Sequence, residues 1–159
     1  MNVPRAGLAV AVALLLAGCS ADQEPAAPAP APVPAAVPDG RVAATLDGVD
    51  LVLEVADTPD ERAVGLMRRQ SVPPGTGMVF RYDAPNDGRF YMFMVPVALQ
   101  AVFVRDGRVV SSIVMPPCRE TEPQACPTYG ADGPFDTVVE TAPETLPVVA
   151  PGDLLRLSP

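Results

Sequence analysis

Arg69, Tyr129, Glu140 and Asp153 are side chains of this sequence whose chemistry could support binding or proton transfer. A guanidinium at Arg69 could hold a carboxylate or a phosphate through two parallel hydrogen bonds. Tyr129 could line a pocket mouth or anchor its own loop, and Glu140 with Asp153 could act as paired carboxylates. The structural alternative is an ion pair from Arg69 to Glu140 or Asp153. We predict Arg69, Tyr129 and Glu140 as candidate ligand-binding residues and assign no catalytic residue.

The balance of charged residues excludes several classes of function. The chain has 11 Lys plus Arg residues against 19 Asp plus Glu residues, a net charge of −8, and no His. Scattered arginines on an acidic chain do not form the basic patch of a nucleic-acid-binding protein. Without His, Cys-His and Ser-His-Asp catalysis are excluded within one chain. We therefore predict no nucleic-acid partner, no metal and no cofactor, and we favour binding over catalysis.

Residues 1–18 resemble a bacterial lipoprotein signal peptide. The apolar run Leu8–Ala17 is shorter than the ~20 residues of a transmembrane helix and suits the hydrophobic region of a signal peptide. The sequence LAGC, which ends at Cys19, resembles a lipobox, which implies cleavage before Cys19 and its modification by diacylglycerol and a further acyl chain such as palmitate. Two acyl chains hold a protein firmly on a bilayer. We predict export and anchoring to the outer face of a membrane, and Ser20 implies the outer membrane where a cell has two.

The lipidated cysteine begins a Pro- and Ala-rich segment, residues 19–40. Such a composition buries too little apolar surface to fold, and proline favours extended polyproline geometry. At ~3.1 Å per residue the segment could extend on the order of 60 Å. We predict a disordered tether that separates the membrane from a folded domain at residues 41–159.

Cys118 and Cys126 remain once Cys19 is assigned to lipid. An exported domain lies in an oxidising compartment, so we predict a disulfide between them. The alternatives are a zinc site, for which two further ligands of the usual kind are missing, and a redox-active pair, which usually has only two residues between its cysteines.

Turn and cap residues divide the domain into short elements. Asp47-Gly48 between two apolar runs predicts a hairpin. Thr58 and Glu61 have the spacing of a capping box, which predicts a short amphipathic helix that carries Leu66 and Met67 on one face. On the surface of this helix, Arg62 is expected to pair with a neighbouring carboxylate, Asp60 or Glu61.

Many short strands and one helix predict a mainly β or α+β fold, a compact, mostly antiparallel and β-barrel-like domain. The apolar run Phe90–Val104 contains Pro96, and as a helix it would rise only ~22 Å, less than a bilayer requires. We predict two central strands in it, covered on both faces. The predicted strands are Val42–Leu46, Val49–Val55, Met78–Tyr82, Phe90–Met94, Ala101–Val104, Arg108–Met115, Thr137–Thr141 and Asp153–Leu157.

Several motifs resemble a bacterial family known as domain of unknown function 192. They are Glu61-Arg62, Gly65-Leu66-Met67, Arg69, Gly77-Met78-Val79-Phe80, Phe90-Tyr91-Met92, Leu99, Phe103, Pro127-Thr128-Tyr129, Val138-Val139-Glu140 and Gly152-Asp153. The resemblance implies a small β-rich domain with one helix and supplies no activity.

The departures from this family pattern remove polar groups. Phe93, Met94 and Val95 stand where the family usually carries Lys, Asn or Asp, and Thr, and Gln100 stands where it usually carries Asp. A polar site built on those positions has become apolar here. We therefore predict a membrane-anchored, non-catalytic domain that binds a small ligand or a protein partner. The alternative is an enzyme or an anion-binding site for a small carboxylate or phosphate around Arg69 and Tyr129.

Overall fold

The computed structural model describes residues 40–146 and 148–158. The predicted signal peptide, the predicted lipidation site Cys19 and almost all of the predicted tether lie outside these residues. In the described part, no helix is both long and apolar enough to cross a bilayer. The elements are β1 (Arg41–Leu46), β2 (Val49–Ala56), α1 (Pro59–Val64), β3 (Thr76–Asn86), β4 (Phe90–Tyr91), β5 (Leu99–Arg105), β6 (Arg108–Met115), a 3₁₀ turn (Pro123–Ala125), β7 (Thr128–Tyr129), β8 (Phe135–Thr141) and β9 (Leu155–Leu157).

Seven strands form one curled sheet in the order β6-β5-β8-β3-β2-β1-β9. Its neighbouring strands are antiparallel except β2 and β3, which are parallel and are connected through α1. A single bridge between Arg108 and Leu154 brings the β6 edge to the chain entering β9, so the sheet curls into a half-barrel. The predicted mainly β domain with one short helix is confirmed.

Local sequence signals set the first half of the sheet. Asp47 and Gly48 both have positive φ, 46° and 80°, as the predicted two-residue hairpin between β1 and β2 requires. The predicted capping box is also present, because Thr58 Oγ1 accepts from the Glu61 N–H and Glu61 Oε2 accepts from the Thr58 N–H. The helix is shorter than predicted: Gly65 at φ 47° ends it, so Leu66 reaches the core from the following turn.

The predicted strand Phe90–Met94 is wrong beyond its first two residues. β4 stops at Tyr91 and pairs with β7 in a separate two-stranded sheet. The chain then turns, with the Val95 N–H donating to the Met92 carbonyl oxygen at 3.1 Å and Met94 at φ 58°. Pro96, which has no N–H to donate to a ladder, follows this turn. By contrast, β5 is buried along its length except for its last residue, as predicted for a strand covered on both faces.

Alternation along the central strands divides the core into two layers. On β5, Val102 and Val104 pack into one layer, whereas Ala101 and Phe103 pack into the other. The second layer contains four phenylalanines in edge-to-face or tilted contact, with ring centroids 5.0–6.3 Å apart: Phe80, Phe90, Phe103 and Phe135. We refer to these four residues as the phenylalanine cluster.

The predicted disulfide is present between Cys118 and Cys126, which are 8 residues apart in sequence. Cys126 is buried, and Cys118 packs against the layer that contains the phenylalanine cluster. The bond closes the loop between β6 and β7, a segment that contains only a short 3₁₀ turn. It therefore constrains a part of the chain that the large sheet does not hold.

Replacing both cysteines with alanine is expected to lower the free energy of unfolding by about 2.5 kcal/mol, the loss of loop-closure entropy for so short a ring. Urea unfolding of the oxidised protein and of the double variant measures this difference. Because the strands of the large sheet do not include either cysteine, the far-ultraviolet circular dichroism of the folded state should be retained. Equal stabilities would contradict a stabilising role for the bond.

Candidate functional site

Glu140 occupies the middle of the large sheet. It lies on β8, where its Cα partners are Met78 of β3 and Ala101 of β5. Residues two apart on a strand share a face, so Glu140 points to the same side as Val138, into the layer of the phenylalanine cluster. Only 5% of the residue is exposed. The strand alternation thus brings one carboxyl group into an apolar layer.

The carboxyl group reaches a cavity of about 170 Å³ that opens between α1, β3 and β4. Its walls combine apolar and polar surface and include two members of the phenylalanine cluster. The polar groups are spread over different elements. The apolar wall residues are Ala63, Val64, Leu66, Met67, Phe80, Phe90, Met92 and Val95, and the polar residues are Arg62, Tyr82, Asn86, Arg89, Tyr91 and Glu140. We refer to this space as the Glu140 cavity.

Burial raises the pKa of Glu140 to about 8, and burial is the only cause. No group in residues 40–146 or 148–158 donates a hydrogen bond to the carboxyl, and no neighbouring cation favours its ionised form. Desolvation disfavours the charged form of an acid, so the side chain is mostly protonated at pH 7. The fully enclosed side-chain atoms without a hydrogen bond in the described residues are Arg81 Nε, Gln100 Oε1 and Thr145 Oγ1. The Glu140 oxygens are not among them, so the carboxyl opens to the cavity.

Arg62 lies across the ring of Tyr82 at the side of the cavity. Its guanidinium carbon is 4.7 Å from the ring centroid, and Nη1 donates to the carbonyl oxygens of Asp57 and Arg81 at 2.6 and 2.8 Å. The predicted surface pairing of Arg62 with Asp60 or Glu61 is therefore wrong, because these backbone acceptors hold the side chain. The pKa of Tyr82 is raised overall. Burial is the largest cause, the charge of Glu140 adds to it, and the charge of Arg62 opposes it.

Arg89 forms another part of the rim. Its Nε and Nη2 donate to the hydroxyl and carbonyl oxygens of Thr128, both at 2.8 Å. This contact joins the segment before β4 to β7, next to the exposed ring of Tyr91. Sequence reasoning did not select Arg89 or Tyr91, since their position depends on the pairing of two short strands, β4 and β7, in which Tyr91 lies opposite the distant Thr128.

Arg69 does not belong to this cavity. Its Nη1 and Nη2 donate to both carboxylate oxygens of Glu54 on β2, at 2.8 and 2.6 Å. Arg69 is the main cause that lowers the pKa of Glu54, and Glu54 correspondingly raises that of Arg69. The predicted alternative of an ion pair is correct in kind but wrong in its partner, which is neither Glu140 nor Asp153. The pair lines a second cavity, which lies between β2, the start of β3 and the segment that connects α1 to β3.

Tyr129 and Asp153 also lie apart from Glu140. Tyr129 is on β7 opposite Phe90 and packs against the layer of the phenylalanine cluster, but it does not line the cavity of Arg69 or that of Glu140. Asp153 accepts from the Ala150 N–H at 2.7 Å in the turn before β9. The possible carboxylate pair of Glu140 and Asp153 is therefore not formed, and of the three candidate ligand-binding residues Arg69 and Tyr129 lie outside the cavity that Glu140 lines.

Within the described ranges, no three side chains of the His, Cys, Asp and Glu types converge as a metal site requires. The lining of the Glu140 cavity contains no Ser, Thr, Cys or Lys and no second carboxylate. Of the groups that commonly act as acids or bases, the lining holds the Glu140 carboxyl and the phenols of Tyr82 and Tyr91.

Comparison with solved structures gives relatives of the same fold. A crystal structure of a protein of unknown function from Novosphingobium aromaticivorans DSM 12444 superposes with a TM-score of 0.61 at 28% identity, covering 73% of this chain and 84% of that one. A crystal structure of a "putative transcription regulator" from Sinorhizobium meliloti 1021 gives a TM-score of 0.62 at 23% identity, covering 74% and 93%. Among curated proteins, none matches this chain.

The family comparison covers nearly the whole described domain. Residues 42–157 match the model of DUF192, described as "Uncharacterized ACR, COG1430". This range includes both sheets except Arg41, the first residue of β1, together with α1 and every residue that lines the Glu140 cavity. The chain therefore belongs to the DUF192 family.

Proposed function

We propose that this protein is a membrane-anchored, extracytoplasmic binding protein whose domain takes a small organic ligand in the Glu140 cavity without transforming it. The observation that carries the proposal is the Glu140 carboxyl, buried, without a hydrogen bond from the described chain, and directed into an open cavity. Its oxygens are not among the fully enclosed unpaired atoms of the described residues, so a ligand that enters the cavity can hydrogen-bond to them.

The dimensions and walls of the cavity limit the ligand. Its volume of about 170 Å³ is close to that of a ~150 Å³ protein cavity that accepts benzene. Small-molecule sites combine apolar walls with polar groups that fix the orientation of the ligand, and the Glu140 cavity has both kinds of lining. Val95, one of the residues where this chain departs from the family's polar pattern, contributes to the wall and is 5% exposed. A ligand, or the part of it that enters, therefore has roughly the size of one ring and an apolar body.

The proposed location rests on the N-terminal sequence. The lipobox-like LAGC that ends at Cys19 and the Pro/Ala-rich residues 19–40 would hold the domain at the outer face of a membrane, the outer membrane where two are present. The disulfide between Cys118 and Cys126 is consistent with export, because such bonds persist in oxidising compartments. Mass spectrometry of the mature protein should find an acylated Cys19 at its N-terminus, and a lipid-free protein with a different N-terminus would contradict the anchor.

A thermal-shift screen with ring-sized fragments tests the binding role. We expect some fragments to raise the melting temperature of the wild-type protein and to have a much smaller effect on Glu140→Gln. Arg69→Ala is the matched control, because it changes a charged residue of the second cavity, and it should retain the response. Stabilisation that is lost in Arg69→Ala and kept in Glu140→Gln would move the site to the second cavity, and the absence of any stabilising fragment would contradict the proposal.

A further inference from the structure

We propose that the ligand of the Glu140 cavity carries a protonated amine, for which the carboxylate of Glu140 is the counter-ion. This inference rests on the proposed binding function and adds the charge of the ligand. It follows from what surrounds Glu140: apolar strand neighbours, aromatic walls, and cations that are bound elsewhere.

The groups that face the cavity from each element do not neutralise Glu140. Arg62 on α1 donates to two backbone carbonyls and lies over Tyr82. Arg89, before β4, is held by Thr128. The ion pairs of the described residues are those of Arg69 with Glu54 and of Arg105 with Asp106 and Asp136. Neither Arg62 nor Arg89 therefore forms an ion pair with Glu140.

The remaining neighbours of Glu140 bring no ionic partner. The sheet neighbours Met78 and Ala101 are apolar, and the titratable groups of β3 and β4 that line the cavity are the phenols of Tyr82 and Tyr91. An ionised Glu140 thus has no cation of the described chain to balance it. A buried charge requires a partner, and a ligand cation would provide one.

An ammonium group matches both needs of the site. It carries a positive charge and three N–H donors and has no acceptor that would oppose the carboxylate oxygens. The rings of Phe80, Phe90 and Tyr91 in the cavity lining add surfaces that attract cations through their π electrons. A carboxylate ligand would instead bring acceptors and a like charge to Glu140, and a neutral alcohol would bring one donor without charge.

Binding of an amine is expected to depend on pH, because Glu140 must release a proton before it can act as a counter-ion. Its pKa is about 8. At pH values below 8, each increase of one pH unit therefore raises the ionised fraction of Glu140 roughly tenfold. The affinity for an amine that stays protonated should therefore rise by roughly tenfold per unit from pH 6 to pH 7 and level off as Glu140 becomes fully ionised.

Three probes of equal size, benzylamine, benzyl alcohol and benzoate, test the charge of the ligand on the purified full chain. Calorimetric titration should show the tightest binding for benzylamine, with an affinity that increases with pH and falls at least tenfold in Glu140→Gln. Arg69→Ala should bind benzylamine as the wild type does. In wild-type protein at pH 7, the binding heat should also vary with the ionisation enthalpy of the buffer, because a proton is released; this measurement requires no variant.

The outcomes separate the two proposals. Equal or tighter binding of benzyl alcohol or benzoate, or benzylamine binding without proton release, would overturn the amine inference and leave a ligand-binding cavity. Failure of all three probes to bind would overturn the amine inference together with the proposed cavity function.

Discussion

The Glu140→Gln variant is expected to be more stable than the wild-type protein above pH 8. In the wild type, unfolding exposes a carboxyl whose pKa in the folded state is about 8, against a model value of 4.5. A folded-state pKa above the unfolded one means that the native protein binds the proton more tightly than the unfolded chain does. The associated stability is fully present below pH 4.5 and is lost progressively until the pH passes through about 8.

The size of this effect follows from the interval between the two pKa values. One pKa unit corresponds to ~1.4 kcal/mol, so an interval from 4.5 to about 8 corresponds to on the order of 4–5 kcal/mol between acid and alkaline conditions. Domains have total stabilities of ~5–15 kcal/mol, which makes the loss a large fraction of the whole. Gln has nearly the same shape and does not ionise, so the variant lacks this loss.

Urea unfolding at pH 5 and at pH 9 tests this prediction. The quantity compared is the change in the free energy of unfolding between the two pH values, in the wild type and in Glu140→Gln. The wild type should lose several kcal/mol relative to Glu140→Gln between the two values. Glu144→Gln, which removes an exposed carboxylate four residues further along the chain, is the matched control and should follow the wild-type profile. Parallel profiles for the wild type and Glu140→Gln would show that Glu140 is not held in a water-poor cavity.

The proposed binding role of Glu140 would account for a carboxyl in the core. Burying a polar group without a hydrogen bond costs free energy, so folding alone gives no reason for an acid at the centre of β8. Functional sites commonly contain groups with displaced pKa values. The stability measurement therefore bears on function, because a stabilising Glu140→Gln variant that no longer binds ligand is the expected trade between stability and binding.

The fold was predictable where a local signal determined it. Asp47-Gly48 specifies its hairpin through two positive φ angles, and Thr58 with Glu61 specifies the start of α1. The Phe90–Met94 prediction failed because periodicity cannot show that β4 pairs with the distant Thr128-Tyr129 in place of a strand of the large sheet. That pairing is a tertiary contact, and tertiary context overrides the propensity of a short segment.

The site was less predictable than the fold. Glu140 was selected as a candidate, but its direction was not, because both faces of β8 are buried and an apolar pattern on both sides does not reveal which core layer a residue enters. The partner of Arg69 depended on bringing β2 next to the turn after α1. Glu54 lies on a strand that pairs in parallel with β3, and parallel pairs are joined by crossovers whose length no local motif specifies.

The position of Glu140 depends in turn on a close approach of β3 and β8. Gly77 pairs with Thr141 in this antiparallel ladder, and a Cβ on Gly77 would overlap the backbone carbonyl oxygen of Glu140 and lie 3.0 Å from Thr141 Cγ2. The first obstacle is main chain in the middle of a seven-stranded sheet, so it cannot rotate away as a flexible side chain could. A glycine is thus required at position 77 because there is no room for a Cβ, and not because of a left-handed backbone, since Gly77 does not have a positive φ.

Gly77→Ala is therefore expected to lower the free energy of unfolding by about 3 kcal/mol, the upper part of the range for overpacked cores, and the melting temperature by ~10 °C or more. Gly133→Ala is the matched control: its new Cβ would lie 3.7 Å from Val110 Cγ1, an ordinary contact, also without a positive φ, and its stability should change by less than about 1 kcal/mol. Because the strain would push β8 away from β3, ligand binding at Glu140 should weaken in Gly77→Ala and persist in Gly133→Ala. Equal melting temperatures for the two variants would mean that β3 and β8 do not approach each other as closely at Gly77 as the structure has them.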